Sequence, residues 1–367
     1  MSPEPRGRWR ALLAGTLASI FLLEILLRVL AIFPWGTADF MSDPQTGFRQ
    51  RPGVAIAGQT TNSRGFNAPE PAAAKTQRRI GVVGDSFVFA AVPRGLDWVS
   101  RMGAAARREA PVEVLNLGVL AAGPENYLGL LEKDGRELQL DAAVVVVFVG
   151  NDISQADSHF RTRIFFGAPR AVLRSPFFLR PGIDYLYSIK MLRGGWRLLR
   201  EAALYPAEPG GTFSRQIFLE VERDRLEICR REPTEKTARG YAGIEDFFDA
   251  LLRFRRERGI PVAVAIAPDQ FQVDRELQQA LIPPAEAADF DLERPQRLLA
   301  AGLAKRGIPF VDLLPRLRNL AAERQLYLER DSHWNADGNR LAATFLLDAL
   351  RSWGWLAGPL DSAAQAH

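Results

Sequence analysis

Residues Ala142 to Val149 read Ala-Ala-Val-Val-Val-Val-Phe-Val, an unbroken apolar run. A strand turns successive side chains to opposite faces, so this segment has no face to offer water. It reads as a central strand of a parallel sheet covered on both sides. The chain around it alternates in the same sense. Strands are expected at Ile80–Val83, Val112–Leu117, Ala142–Val149, Val262–Ala267 and Phe310–Leu313. Helical patterns are expected at Trp98–Glu109, Glu125–Lys133, Tyr241–Arg258, Pro295–Arg306 and Ala336–Trp353. Repeated βα units predict the α/β class, with any site beyond the carboxyl ends of the strands.

Four segments fall at such strand ends: Gly84-Asp85-Ser86, Asn116-Leu117-Gly118, Gly150-Asn151-Asp152 and Asp331-Ser332-His333. Each alone has an ordinary reading, since Asp, Ser and Asn cap helices and Gly makes turns. Together they are chemically complementary. Ser86 sits where a strand gives way to a helix, and the free N–H groups of a helix start favour developing negative charge. His333 is the best available base. Of the other two histidines, His367 is terminal and His159 lies in an irregular stretch. Asp331 is suited to orient the imidazole and stabilise its charged form. The N–H groups of Ser86 and Gly118, with the Asn151 amide, would serve a tetrahedral oxyanion.

The N-terminus carries Arg6, Arg8 and Arg10 before a run from Ala11 to Trp35 whose polar members are Thr16, Ser19, Glu24 and Arg28. A helix of that length spans a hydrocarbon core of about 30 Å. The cationic flank predicts a cytoplasmic N-terminus. A cleaved signal peptide is the competing reading, although no clean small-x-small site follows the run. Glu24 and Arg28 stand at i, i+4, so they either pair within the helix or lie hydrated near the outer interface.

The resulting division is a cytoplasmic tail (1–10), a transmembrane anchor (11–35), a spacer and lead-in (36–78), a main domain (79–355) and a C-terminal tail (356–367). Within the main domain, residues 153–240 break the βα rhythm and read as an insertion. From His159 to Glu201 this stretch holds nine Lys or Arg against two acids, interleaved with Phe165, Phe166, Phe177, Phe178, Tyr185, Tyr187 and Trp196. A small aromatic core, a lid and a lipid-facing surface are the alternatives.

Lys+Arg 47 and Asp+Glu 43 nearly balance, giving a formal charge of +4 and no case for nucleic acid. A single cysteine, Cys229, allows no intrachain disulfide. No metal or organic cofactor is implied.

The four blocks, in this order, resemble the SGNH (GDSL-type) hydrolase superfamily over roughly residues 79 to 352. The resemblance implies a three-layer α/β/α, flavodoxin-like domain, with Ser86 as nucleophile, His333 as base, Asp331 as its partner, and Ser86, Gly118 and Asn151 as oxyanion donors. It also implies a small acyl ester of a carbohydrate as substrate. One departure stands out. The family's usual last block is Asp-x-x-His, whereas Asp331-Ser332-His333-Trp334 is similar to the Asp-x-His-Trp segment of the alginate O-acetyltransferase branch. That branch places the segment before the serine, while this chain keeps the hydrolase order. The expected function is therefore a membrane-anchored esterase outside the cytoplasmic membrane. Acyl transfer to a polysaccharide and a non-catalytic glycan-binding role are the alternatives.

Overall fold

The computed structural model describes residues 5–56, 58–175, 182, 185–205 and 211–356. An apolar helix, α1 (Pro5–Leu30), is followed by two antiparallel hairpins, β1 (Phe40–Asp43) with β2 (Gly47–Gln50), and β3 (Ala55–Ile56) with β4 (Gln59–Thr60). The βα succession opens with β5 (Arg78–Gly84), α2 (Ser86–Phe89), α3 (Trp98–Glu109) and β6 (Val112–Gly118). It continues through α4 (Pro124–Leu130), β7 (Ala142–Phe148) and α5 (Val149–Gln155). A hairpin, β8 (Phe160–Phe165) with β9 (Ala168–Leu173), precedes α6 (Tyr187–Ala203), α7 (Arg215–Leu226) and α8 (Glu235–Arg258). The sheet then resumes with β10 (Val262–Ala267), α9 (Gln270–Val273), α10 (Arg275–Leu281) and α11 (Arg294–Lys305). Last come β11 (Phe310–Asp312), α12 (Leu314–Ala321) and α13 (Ala336–Ser352).

The main sheet has five strands in the order β11-β10-β7-β5-β6, and every pairing is parallel. This is the flavodoxin-like order, with the direction of winding reversing between β5 and β7. All of β7 is buried, as its sequence predicts. Ala143, Val145 and Val147 join a core with Leu117, Phe247 and Phe248. The alternate residues Ala142, Val144 and Val146 face Met102, Leu317 and Leu346 on the other side. The three-layer α/β/α arrangement follows from that two-sided burial. Expected and observed strands agree within two residues at either end. The helix expected from Tyr241 starts earlier, at Glu235, because Thr234 caps it by accepting the Thr237 N–H at 3.2 Å.

Residues 36–78 are more than a spacer. Phe48 and Phe66 are fully buried in the main core. Arg49, on β2, donates two hydrogen bonds to Asp134, at 3.2 and 2.7 Å. Asp134 has no solvent exposure and lies in a π-type turn, Leu131–Gly135, that continues α4. Strands of two to four residues are too short to leave a periodic trace, so the sequence shows only an irregular lead-in here.

The insertion is divided. Ile217, Phe218 and Leu226 bury α7 against the sheet domain. Phe165, Tyr185 and Tyr187 form a small core that is shared with Leu27 of α1. Glu24 and Arg28 pair at 2.8 Å and are enclosed by the insertion rather than hydrated. Phe177, Phe178 and residues 357–367 of the C-terminal tail lie outside the described residues.

Truncating Phe48 to Ala would leave a cavity in the sheet domain. It is expected to destabilise that domain by about 3–5 kcal/mol, read as a lowered denaturation midpoint of the detergent-solubilised chain. A wild-type midpoint would return residues 36–78 to the status of a spacer.

Candidate functional site

β5 ends at Gly84 and the chain turns at once into α2. Asp85 caps that helix, its Oδ1 accepting the Phe87 N–H at 2.9 Å. Ser86 is thereby held at the first helical position, partly exposed, at the carboxyl edge of the sheet. Its own N–H falls among those of a helix start that have no partner in the preceding turn. α5 begins directly after β7 and carries Asn151 to the other side of the β5/β7 switch point. The crevice at such a point is where open α/β sheets bind ligands.

The segment before α13 completes the cluster. His333 Nε2 lies 2.7 Å from Ser86 Oγ. Its Nδ1 lies 2.5 Å from Asp331 Oδ1, and the same oxygen accepts the His333 backbone N–H at 3.0 Å. The one-residue spacing between Asp331 and His333 is accounted for by that second bond. A carboxylate accepting the N–H two residues on closes an Asx turn, which brings the imidazole back over the carboxylate. The network assigns a proton on Nδ1 toward Asp331 and leaves Nε2 to accept from Ser86. Burial works to raise the Asp331 pKa, but the hydrogen bonds and charge of His333 outweigh it, and Asp331 titrates at about 2.

Asn151 Nδ2 donates to Asp85 Oδ2 at 3.2 Å, which fixes the amide and leaves its second N–H available. Gly118 differs from expectation. Its N–H donates to Asn116 Oδ1 at 2.9 Å, so that donor is occupied. Asn116 in turn donates to the Val88 carbonyl at 2.7 Å, tying β6 to α2. Glycine is required at 118 because a Cβ would come within 2.2 Å of the Phe89 nitrogen. At Gly150 a Cβ would meet side-chain atoms, Asp269 Oδ2 at 2.0 Å and the Phe148 ring, so a substitution there requires those side chains to shift.

Asp152, the last residue of its block, is buried and turned inward. It accepts the Phe148 N–H at 2.9 Å and the Tyr127 hydroxyl at 2.9 Å, which locks the β7–α5 corner. Burial and the nearby Asp85 charge push its pKa well up.

Several contacts at the site leave no mark in sequence spacing. Thr212 donates to Asp331 Oδ2 at 2.5 Å. Ser332, between Asp331 and His333, donates to Glu222 Oε1 at 3.0 Å and also touches Arg225. Arg225 pairs with Glu222 at 2.9 Å and lies over the Phe148 ring. Burial, then the charge of Asp269, pushes the Glu222 pKa well up. Thr212, Glu222 and Arg225 all come from the insertion, whose sequence carries no periodic link to the histidine segment. Trp334 packs edge-on against Phe87, with ring centroids 4.9 Å apart, and Phe87 in turn lies 5.3 Å from the His333 ring.

The recess beside Ser86 and His333, lined also by Ala90 and Trp334, has a volume of about 10 Å³. A larger cavity of about 470 Å³ lies between the β8–β9 hairpin and the first turns of α6 and α8, and none of the expected site residues lines it. Among the described residues, no group of three or more His, Cys, Asp or Glu side chains is arranged to hold a metal ion.

Residues 230–364 match the family model described as SGNH hydrolase-like domain, acetyltransferase AlgX. No curated protein matches the chain. Among solved structures, the acetyl xylan esterase AlAXEase is 15% identical, with a TM-score of 0.41, covering 74% of this chain and 99% of its own. A lipase/acylhydrolase from Enterococcus faecalis is 13% identical, with a TM-score of 0.39, covering 75% and 96%. A catalytic mutant of the acetylxylan esterase Axe2 from Geobacillus stearothermophilus is 10% identical, with a TM-score of 0.39, covering 76% and 96%.

The Asp331 pKa lies below its ordinary 3.8, so ionised Asp331 stabilises the fold above about pH 4, and that contribution is lost as pH falls toward 2. An Asp331→Asn variant is therefore expected to lose stability less steeply than wild type across that window in acid titrations followed by circular dichroism. An unchanged acid limb would contradict the Asp331–His333 pairing.

The resemblance to the SGNH hydrolases that the sequence blocks suggest is thus shown over residues 230–364, the segment that carries Asp331 and His333, and the model matched there is that of the AlgX acetyltransferases.

Proposed function

We propose that the chain is a serine esterase that removes a small acyl group from an oxygen ester through an acyl-Ser86 intermediate. The observation that carries this reading is the unbroken hydrogen-bonded series from Ser86 Oγ through His333 to Asp331. In the first step Ser86 Oγ bonds to the ester carbonyl carbon as its proton passes to His333 Nε2. The Ser86 N–H and the free N–H of Asn151 stabilise the oxyanion. The ester C–O bond then breaks, and His333 returns the proton to the departing alcohol oxygen. In the second step water gives a proton to His333 and bonds to the acyl carbon. The Oγ–acyl bond then breaks as His333 passes that proton to Ser86 Oγ, and the acid departs. Asp331 stays ionised throughout, as its low pKa requires. The His333 side chain is 28% exposed, which supports access of water to the acyl-enzyme. The acetyltransferase description of the matched family favours an acetyl ester, and an O-acetylated carbohydrate is the substrate class that the resemblance in sequence implies.

That same description supports a second reading, in which an acceptor hydroxyl, taken from the sequence reading to be a glycan's, replaces water in the second step. The insertion reaches the site through Thr212, which gives it a position from which to guide such an acceptor. Incubating the chain with a small acetyl ester and acetyl-free oligosaccharides separates the two. The esterase reading expects acetate as the main product, with Ser86→Ala and His333→Ala each losing on the order of 10³-fold or more in kcat. Acetylated glycan well above acetate would replace it with the transferase.

The apolar α1 is read as a membrane anchor that leaves the enzymatic domain extracytoplasmic. It is the one helix among the described residues long and apolar enough to span a bilayer, and Arg8 and Arg10 flank its start. A phosphatase that is active only when exported, fused to the C-terminus, is expected to be active in cells. Activity of a cytoplasmic reporter in its place would contradict the orientation.

A further inference from the structure

α6 is amphipathic, yet beyond its first turn the protein leaves most of it exposed. Leu192, Trp196 and Leu199 fall at i, i+4 and i+7, which makes one stripe along the helix. They are 70%, 62% and 63% exposed. Arg193 and Arg197 lie away from that stripe and are exposed, while Lys190 turns inward with its Nζ 4.0 Å from the Phe160 ring centroid. A helix that owed its stability to packing within this domain would bury that stripe. Here the stripe faces outward.

The root of α6 is held firmly, and what holds it is α1. The Glu24 carboxylate accepts the N–H groups of Tyr187 and Ser188 at 3.0 and 2.9 Å, and the Ser188 hydroxyl at 2.9 Å. It therefore caps the first turn of α6, where a negative charge meets the positive end of the helix dipole. Arg28 closes the clamp, binding Glu24 at 2.8 Å and donating to the Tyr185 carbonyl at 2.8 Å. Glu24 and Arg28 are 8% and 4% exposed. Their burial is offset by this mutual pairing and by the backbone groups they satisfy. The clamp sits at the end of α1 remote from Arg8 and Arg10, the end that the anchor reading puts at the outer membrane surface.

We propose that α6 lies in the outer face of the bilayer, with Leu192, Trp196 and Leu199 among the acyl chains and its basic side toward the lipid phosphates. The inference rests on the anchor reading of α1 and goes beyond it. A helix with an apolar stripe and a cationic side, beginning where an apolar span ends, has the chemistry of an interfacial helix. Its arginines match the negative surface of an anionic leaflet. The Glu24–Arg28 clamp makes span and interfacial helix one unit, and α7, next in the chain, carries Glu222 and Arg225 to the Ser332 contact. Lipid contact at α6 would therefore fix the height and tilt of the Ser86 crevice above the membrane.

The test uses the full chain in vesicles of phosphatidylcholine and phosphatidylglycerol, with the buried Cys229 left in place. Leu199→Cys, Arg197→Cys and Leu17→Cys are each labelled with an environment-sensitive fluorophore, and lipids bearing a nitroxide on the acyl chain serve as quencher. The proposal expects the Leu199 and Leu17 labels to be quenched several-fold more strongly than the Arg197 label. Quenching at Leu17 with none at Leu199 would overturn the interfacial helix and leave the anchor standing. No lipid quenching at either position would overturn both. A Leu199 label shielded from an aqueous quencher only at high protein-to-lipid ratio would replace the bilayer with a second copy of the chain.

Discussion

Burial of β7 on both faces is the constraint from which the rest of the domain follows. Seven consecutive apolar residues with no face for water require cover above and below the sheet. Parallel pairing on both edges of β7 requires that every connection cross over, and the crossovers are the helices that provide the cover. Winding in two directions from the centre then leaves one place where neighbouring strand ends diverge, between β5 and β7. Ser86 leaves β5 there and Asn151 leaves β7. The histidine segment, delivered by the last crossover, closes over them. The position of the site is thus a consequence of how an apolar strand is kept dry.

The hydrogen bonds at that crevice show how few groups orient a serine. Asp85 serves twice, capping α2 with one oxygen and holding the Asn151 amide with the other. Asp331 also serves twice through a single oxygen, which closes a turn and meets the imidazole. The shortened Asp-x-His spacing is therefore compatible with a fully oriented histidine. Outer support comes from the insertion, through Thr212 to Asp331 and through Glu222 and Arg225 to Ser332. These contacts link the site to the segment that also docks on α1.

Much of this was legible in the sequence because local chemistry decides it. Strand runs and the four strand-end blocks are short-range signals, and the structure brings Ser86 and Asp331 each within hydrogen-bond reach of His333. What was not legible rests on partners far apart in the chain. Phe48 and Arg49 gain their meaning from a core and an Asp134 that no spacing reveals. Gly118 reads as an open donor until Asn116, two residues earlier, is seen to occupy its N–H. The i, i+4 relation of Glu24 and Arg28 suggests their pairing but not that Tyr187 and Ser188 would complete it. Glu222 and Arg225 look like members of an ordinary charged helix until Ser332 is placed beside them.

The central claim is that Ser86 takes up the acyl group. Rapid mixing with a small acetyl ester, acid quenching and peptide mass spectrometry test it directly. The account predicts an acetyl group on the peptide containing Ser86, formed within the first turnover and missing from Ser86→Ala. Ester turnover with no adduct at Ser86, or with the acetyl group on another residue, would contradict it.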